Sequence, residues 1–231
     1  MEARDFDVPR YLSVLPLFLE MTPPELERLA RGCRLRRLGR GDTVFRVGEP
    51  CNEFHVVVTG QVKLFGLSPQ GGEKVIELVG PGQSFAEALM FTGQRYIINA
   101  QALTCSLLLT VDKQAVQHEI ERDGRFALRM LAGISRRLHG LVRDVQSYAL
   151  HTGTQRVIGF LLGGAADPPP PSFSVALPAS KATVASRLSV TPEYFSRVLH
   201  GLVNAGLIEV NKREIRILNS KRLAAHTDAF V

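Results

Sequence analysis

Three polar side chains at helical spacing form the most distinctive chemical pattern in this 231-residue sequence. Glu193, Ser196 and Arg197 lie three and four positions apart, so one helix would carry all three on the same surface. An arginine presents a fork of hydrogen-bond donors, a carboxylate presents acceptors, and a hydroxyl can do either. The set could therefore recognise the polar edge of a ligand. Alternatively, Glu193 and Arg197 could pair with each other on an ordinary solvated surface.

The flanking sequence predicts the elements that would position these residues. Thr191 is a favourable helix N-cap and Pro192 a favourable first helical residue, which places the three residues in the first two turns. Another helix precedes them across a short turn at residues 188–190, and Gly206 marks the end of the second helix. Two strands are predicted around residues 211–213. This order is typical of a winged helix-turn-helix, whose second helix enters the major groove of DNA.

The major groove offers partners for all three side chains. Arginine can donate to O6 and N7 of guanine, glutamate can accept from N4 of cytosine, and serine can meet either base of an A·T pair. The charge distribution favours this partner. Positions 180–222 hold 8 lysine and arginine residues against 3 acidic ones, whereas residues 1–150 hold 19 against 17. In this context base recognition explains Glu193, Ser196 and Arg197 better than an isolated ion pair does.

The rest of the composition argues against several classes of protein. No run of about 18 apolar residues occurs and "MEARDFDVPRYLS" has no signal-peptide core, so we expect a cytoplasmic protein with no membrane partner. Cys33, Cys51 and Cys105 form no C-x-x-C pair, so no metal site is predicted. Since no G-x-S-x-G, P-loop or H-E-x-x-H pattern appears, we predict no catalytic residues and no enzyme activity.

The predicted secondary structure changes twice along the chain before this motif. Two or three short N-terminal helices are expected first, and short β-rich runs bounded by glycine or proline then extend over residues 38–111, which predicts a small β-barrel or roll. From about Asp112 the pattern is helical, with a break near Asp123-Gly124. A further helix is predicted at residues 154–162, followed by a solvated loop at residues 168–171.

The second helical piece carries a heptad seam. Its apolar residues fall at alternating steps of four and three: Ala127, Leu131, Ile134, Leu138, Leu141, Val145 and Tyr148. This 3.5-residue period favours a helix paired with a second copy, as opposed to one laid on its own domain. We therefore predict a homodimer.

The predicted fold class is α+β with three parts. Residues 1–112 form an effector-sensing domain with the β-roll, residues 113–150 a helical segment with the dimerisation helix, and residues 151–231 the winged helix-turn-helix DNA-binding domain.

This order of elements resembles the Crp/Fnr superfamily of bacterial transcription regulators over nearly the whole chain. "EYFSR" is similar to the E-x-x-S-R recognition pattern of the fumarate and nitrate reduction regulator branch. It differs from the R-E-x-x-x-R of the cAMP receptor protein, because Pro192 stands at the place of the first arginine. "FAEALMF", "GEKVIEL", "TPEYFSRVLHGL" and "REIRIL" resemble the dissimilatory nitrate respiration regulators.

The resemblance implies partners and an operator. A palindrome with TTGAT-like and ATCAA-like halves is expected, with Glu193 and Arg197 reading the shared G·C pair and Ser196 the neighbouring thymine. The other residues expected to contact DNA are Thr191, Tyr194 and Lys181. RNA polymerase is a further expected partner if the protein is an activator.

The effector site is expected in the β-roll. "GPGQSFAEALMFTGQRYIINAQA" is similar to the cyclic-nucleotide cassette of the superfamily, where a glutamate holds the ribose and an Arg-Ser pair the phosphate. Glu87 and Arg95 fill two places, but Tyr96 replaces the serine and the connecting segment is two residues shorter. The polar pair that meets adenine is replaced by Leu141 and Val142, which offer no such hydrogen bonds. With Phe85, these residues form the expected site for an effector other than cAMP.

The nitrate respiration regulators are held to sense nitric oxide through haem in an apolar pocket, so the resemblance implies haem as one candidate cofactor. Its axial ligand would come from the six histidines, His55, His118, His139, His151, His200 and His226. An unidentified apolar or anionic effector is the alternative. Since the first 32 residues contain no cysteine, no iron–sulfur cluster is expected. A cAMP-responsive regulator and a cyclic-nucleotide-type module without DNA binding are the alternative functions.

Overall fold

The computed structural model describes residues 6–15, 17–18, 21–163 and 168–226. The chain divides into two compact units. The first takes in the chain up to residue 66 and residues 76–140, and the second takes in residues 67–75 and the chain from residue 141.

The first unit is built from two four-stranded sheets and the helices that cover them. Its strands are β1 (Cys33–Leu38), β2 (Thr43–Phe45), β3 (Glu53–Thr59), β4 (Val62–Leu67), β5 (Glu73–Val79), β6 (Ser84–Phe85), β7 (Asn99–Ala102) and β8 (Ser106–Asp112). The strand orders are β1-β8-β3-β6 and β2-β7-β4-β5. Its helices are α1 (Val8–Ser13), α2 (Pro23–Ala30), α3 (Glu87–Thr92), α4 (Lys113–Arg122) and α5 (Arg125–Leu150), which continues into the second unit. The predicted roll is thus confirmed.

Aromatic side chains are part of the core of the first unit. The Phe18 and Phe126 rings stack with centroids 6.0 Å apart, and both side chains are buried. Phe126 lies in the first turn of α5, just after the predicted break, where Asp123 ends α4 and its carboxylate accepts the backbone N–H of Arg125 at 3.0 Å. The N-terminal helices therefore share one core with the sheets and the start of α5.

One strand of the roll was missed by the sequence pattern. The predicted β-rich region begins only at residue 38, after the N-terminal helices, but residues 33–38 already form β1. This strand pairs with β8 from Cys33 opposite Val111 to Leu38 opposite Ser106. Four of the nine residues "RGCRLRRLG" are arginines. Because strands are usually rich in apolar residues, this composition did not indicate a strand. The Arg36 guanidinium donates to the carbonyls of Val44 and Thr43, so a charged side chain here supports the sheet.

The second unit contains the predicted helix-turn-helix and wing. Its elements are α6 (Gly153–Leu162), β9 (Phe173–Ala176), α7 (Lys181–Arg187), α8 (Pro192–Asn204), β10 (Ile208–Asn211), β11 (Glu214–Ile217) and α9 (Ser220–Ala224). The antiparallel sheet has the order β10-β11-β9. The sequence pattern did not predict β9, which follows the loop at residues 168–171. Its backbone groups pair with β11, and this pairing gives the wing a third strand. The short helix α9 was also not predicted.

No helix in the described part of the chain is both long enough and apolar enough to cross a membrane. Among the same residues, no group of three or more histidine, cysteine, aspartate or glutamate side chains is arranged to hold a metal ion.

Candidate nucleic-acid interface and effector cavity

The helix α8 separates a buried face from a polar one. Thr191 caps it, with Oγ1 accepting the backbone N–H of Tyr194 at 3.1 Å, and Pro192 begins it. Its buried side chains are Phe195, Val198, Leu199 and Leu202. Glu193 and Arg197 are exposed and Ser196 is half-buried. The predicted cap and polar surface are confirmed, and the polar groups available for recognition lie in the first two turns.

The turn between α7 and α8 is held by a residue that the sequence did not single out. Arg156, on α6, donates from Nε to the Leu188 carbonyl at 2.9 Å and from Nη2 to the Ser189 carbonyl at 3.2 Å. Ser189 has a left-handed φ of 56°, which is uncommon for a residue other than glycine. The arginine thus ties the start of α8 to α6 through backbone carbonyls that no side-chain pattern could reveal.

Exposed basic residues also lie in the elements that precede and follow α8 in the chain. Lys181, the first residue of α7 after the Ser180 cap, is exposed. Lys212 and Arg213 are exposed at the turn between β10 and β11, where Lys212 has a left-handed φ of 54°. These three cations belong to the basic stretch that the sequence indicated as suited to phosphates.

The predicted seam of α5 is largely exposed in the single chain. Leu131, Leu138 and Val145 are 57%, 59% and 65% exposed, and Leu141 is also exposed. Such a row of bare apolar side chains marks an interaction surface. Two other seam residues, Ile134 and Tyr148, have partners within the single chain. Ile134 lines a cavity of the first unit, and the Tyr148 hydroxyl donates to the Arg187 carbonyl at 2.6 Å within the second unit.

An apolar, partly open cavity of about 140 Å³ lies in the first unit beside α3. Its lining is Phe45, Leu64, Ala86, Glu87, Ala88, Leu89, Ile97, Ile98 and Ile134. Glu87 is buried and accepts the Ser84 hydroxyl at 3.0 Å. The carboxylate is therefore held in place at the edge of an otherwise apolar space.

The structure brings together only part of the predicted effector set. Of the six predicted residues, Glu87 lines the cavity. Arg95 is exposed and donates from Nη1 to the Gly48 carbonyl at 2.8 Å. Tyr96 is buried with its ring stacked on that of Phe45 at a centroid distance of 3.6 Å, and Phe85 is buried beside Phe45 in the same aromatic cluster. Leu141 and Val142 are exposed residues of α5 in the second unit.

Comparison with known proteins assigns both units. The profile of the cyclic nucleotide-binding domain matches residues 35–123, and that of the Crp-like helix-turn-helix domain matches residues 155–226. The crystal structure of DNR from Pseudomonas aeruginosa is 36% identical in sequence, covers 97% of this chain and 99% of DNR, and superposes with a TM-score of 0.52. The chain belongs to the Crp/Fnr family. This Crp/Fnr protein is a DNA-binding transcription regulator with an effector-binding domain and, as predicted, not an enzyme.

Two further Crp/Fnr proteins show how far the similarity extends. The transcriptional activator protein FnrA of Stutzerimonas stutzeri is 26% identical over 219 residues, which are 91% of this chain and 87% of FnrA. FixK2 from Bradyrhizobium japonicum shares the fold, with a TM-score of 0.75 at 22% identity over 86% of this chain and 99% of FixK2.

The cavity beside α3 is small, and Arg95 does not line it. A cavity of about 140 Å³ is below the range of roughly 300–1,000 Å³ typical of pockets for drug-sized ligands. The guanidinium of Arg95, which would hold the phosphate, donates instead to Gly48.

The described lining of this cavity includes no histidine that could bind haem iron. His55 is the buried imidazole of the first unit. Its Nδ1 lies 3.1 Å from the Thr110 hydroxyl, and its ring packs against Phe45 and Phe85. Burial and the positive charges of Arg36 and Arg34 lower its pKa to about 3. The ring is therefore neutral but enclosed in the aromatic cluster, and His139 on α5 is exposed to solvent.

Proposed function

We propose that this protein is a homodimeric transcription regulator that recognises a TTGAT-N4-ATCAA-like palindrome and responds to a small effector other than cAMP. The observation that carries the proposal is the exposure of Glu193 and Arg197, with Ser196 between them, on the first two turns of the capped recognition helix α8. A protein acting on chromosomal DNA in this way belongs in the bacterial cytoplasm.

Hydrogen-bond chemistry supports the assignment of bases. Arg197 would donate to O6 and N7 of the guanine, and Glu193 would accept from N4 of the paired cytosine. Ser196 lies one residue before Arg197 on the same surface and suits the adjacent A·T pair. Exposed Lys181, Lys212 and Arg213 would bind phosphates, which fixes the register without selecting a sequence.

The exposed seam of α5 supports the dimer. Burying Leu131, Leu138 and Val145 against the same residues of a second copy would remove apolar surface from water and bring two recognition helices to symmetric half-sites. Half-sites of such dimers lie about one helical turn of DNA apart. Because α5 contributes to both units, repacking of the seam would affect both. FnrA is a transcriptional activator protein, and we propose by analogy that this protein activates transcription through contact with RNA polymerase.

The cavity beside α3 supports a small, mostly apolar effector. An apolar cavity of about 150 Å³ can hold benzene or xenon, and the cavity here is of similar size, at about 140 Å³. Ile134 of α5 lines this cavity, so a bound molecule would touch the helix that carries the seam. Such contact could change the packing of the seam and hence DNA affinity.

Selection from a pool of randomised duplexes tests the DNA-binding proposal. The full-length protein should enrich a two-fold palindrome whose halves share a G·C pair flanked by A·T pairs. A single asymmetric site, or no enrichment at low salt, would contradict it. Enrichment only when cAMP is added would favour the cAMP-responsive alternative, and no binding under any condition would favour the module without DNA binding.

Thermal unfolding with added ligands tests the effector proposal. Benzene, as a probe of the cavity, should raise the Tm of the wild-type protein and not that of Ile98→Trp, whose larger side chain fills the space. Added cAMP should leave the Tm unchanged. The visible spectrum after adding haemin, under air and under nitric oxide, should show no protein-bound haem, and a stoichiometric haem band would refute this part of the proposal.

A further inference from the structure

Tyr194, expected from the sequence to contact DNA, is anchored inside the second unit at its hydroxyl end. Its Oη lies 3.2 Å from Oγ1 of Thr154, a residue of α6 that is almost fully buried. A buried hydroxyl needs a hydrogen-bond partner, and Tyr194 supplies it. The hydroxyl is therefore already engaged within the protein.

Gly153 allows the ring to approach this closely. A Cβ at position 153 would lie 2.5 Å from Cε1 of Tyr194 and 2.9 Å from Cζ and Oη, distances that real side chains do not tolerate. Gly153 has no left-handed φ, so its need for glycine is steric. Gly153 and Thr154, the first two residues of α6, thus form a close-fitting contact surface for the Tyr194 ring, which we call the seat.

Arg197 lies over this seated ring. Its guanidinium carbon is 5.3 Å from the centroid of the Tyr194 ring, within the range of a cation–π interaction. The two residues are three positions apart on α8, so the contact is made on one helix surface. Arg197 is otherwise an exposed side chain with several rotatable bonds.

We propose that Tyr194 is a positioning residue that orients Arg197 for base recognition and reads no base itself. The assignment rests on the proposed DNA-binding function. The seat at Gly153 and Thr154 fixes the ring, and the ring restricts the guanidinium. Since Arg197 is already restricted, it loses less conformational entropy when it binds a base edge. Tyr194 therefore contributes to discrimination at the base pair that Arg197 reads.

A measurement without DNA tests the contact itself. A guanidinium held over an aromatic ring places its δ-methylene protons in the ring current, so NMR should show these protons of Arg197 shifted upfield in the wild-type protein. Tyr194→Phe keeps the ring and should retain the shift, whereas Tyr194→Leu should abolish it. Gly153→Ala should displace the ring and reduce the shift. Gly159→Ala is the matched control, because a Cβ there meets nothing within 4 Å. An unshifted wild-type resonance would overturn the inference.

A double-mutant cycle tests the consequence for DNA. Dissociation constants are measured for the duplex selected by the wild-type protein and for one with the G·C pair replaced. Tyr194→Leu should reduce the discrimination between them by about two- to fivefold, the size of an exposed cation–π contact. In the Arg197→Ala background the same change should have no further effect, because Tyr194 acts through Arg197.

The outcomes separate the two proposals. If the effects of Tyr194→Leu and Arg197→Ala multiply, or if Tyr194→Leu weakens binding to both duplexes equally, the positioning role is wrong while DNA binding stands. If Tyr194→Leu does not fold, Tyr194→Phe and Gly153→Ala replace it, with retained and reduced discrimination expected respectively. If the wild-type protein binds no duplex, the proposed function fails, and the NMR shift still decides whether the ring orients Arg197.

Discussion

The guanidinium of Arg187 donates to the carboxylate of Asp144 and so joins the end of α7 to the C-terminal part of α5 within the second unit. Its Nη1 also donates to the Tyr148 hydroxyl, which in turn donates to the Arg187 carbonyl at 2.6 Å. Arg187 and Asp144 are both partly buried. One side chain thus satisfies a carboxylate and a phenol that would otherwise lack these partners.

Removing this arginine should destabilise the second unit. Arg187→Leu removes the donor to the Asp144 carboxylate and to the Tyr148 oxygen, while the Tyr148 hydroxyl can still donate to the backbone carbonyl of residue 187. Because the partly buried carboxylate loses its charged partner, we expect the free energy of unfolding in urea to fall by about 1–3 kcal/mol. Arg187→Lys keeps the charge without the fork and should lose less. An unchanged denaturation midpoint for Arg187→Leu would show that the network contributes no stability.

His55 should make the first unit sensitive to acid. Burial, with the charges of Arg36 and Arg34, lowers its pKa from 6.5 to about 3 in the folded state. Below pH 6.5 the unfolded chain therefore binds a proton that the folded protein does not, so stability present above that pH is lost as pH falls toward 3. Between pH 7 and pH 5 the wild-type protein should lose about 2 kcal/mol more than His55→Gln. His118→Gln, at an exposed histidine, should lose as much stability between these two pH values as the wild-type protein. An equal loss for His55→Gln and the wild-type protein would contradict this role of His55.

Ala86 adopts strained backbone at the start of α3. Its φ of 72° is left-handed, which costs a residue with a Cβ roughly 1–2 kcal/mol. Ala86→Gly should relieve this cost, and after the greater entropy of glycine in the unfolded chain is deducted, stability should rise by about 0.5–1 kcal/mol. Ala88→Gly, inside α3, is the matched control and should lower stability by about 0.5–1 kcal/mol. The two changes should therefore have opposite signs in urea denaturation, and a loss for both would be inconsistent with strain at Ala86.

A charge on the seam of α5 should separate the dimer. Leu138 is exposed in the single chain and central in the heptad seam. Leu138→Asp would bury a carboxylate against its symmetric copy, so sedimentation should show a monomer with weakened DNA binding. Gln146→Asp adds the same charge at an exposed position outside the seam and should remain dimeric. A dimeric Leu138→Asp protein that still binds DNA would show that the seam is not the interface.

The sequence predicted those features that depend on local chemistry. Thr191 and Pro192 mark the start of α8, and Asp123 marks the end of α4, because caps and proline act on the adjacent backbone. β1 and β9 were missed because their strand character depends on distant partners, β8 and β11, rather than on their own composition.

In the candidate sites, too, features set by the local sequence could be predicted and those set by distant residues could not. Glu193, Ser196 and Arg197 could be placed on one surface from helical periodicity alone. The contacts of Arg156 with backbone carbonyls, and the seat of Tyr194 on Gly153, join residues separated by about 30 to 40 positions and leave no pattern in the sequence. The orientation of Arg95 toward Gly48 likewise depends on the folded loop.

In the proposed function, Arg197 reads one base pair in each half-site. The most direct measurement compares the affinity of the wild-type protein and of Arg197→Ala for the selected palindrome and for duplexes with the G·C pair replaced. Wild-type protein should prefer the G·C duplex, and Arg197→Ala should lose about 1–3 kcal/mol of binding and with it this preference. Lys181→Ala, at a phosphate-contact position, should weaken binding to all duplexes alike and reduce the salt dependence. If Arg197→Ala retains the full preference for the G·C pair, the assignment of α8 as a base-reading helix through Arg197 is contradicted.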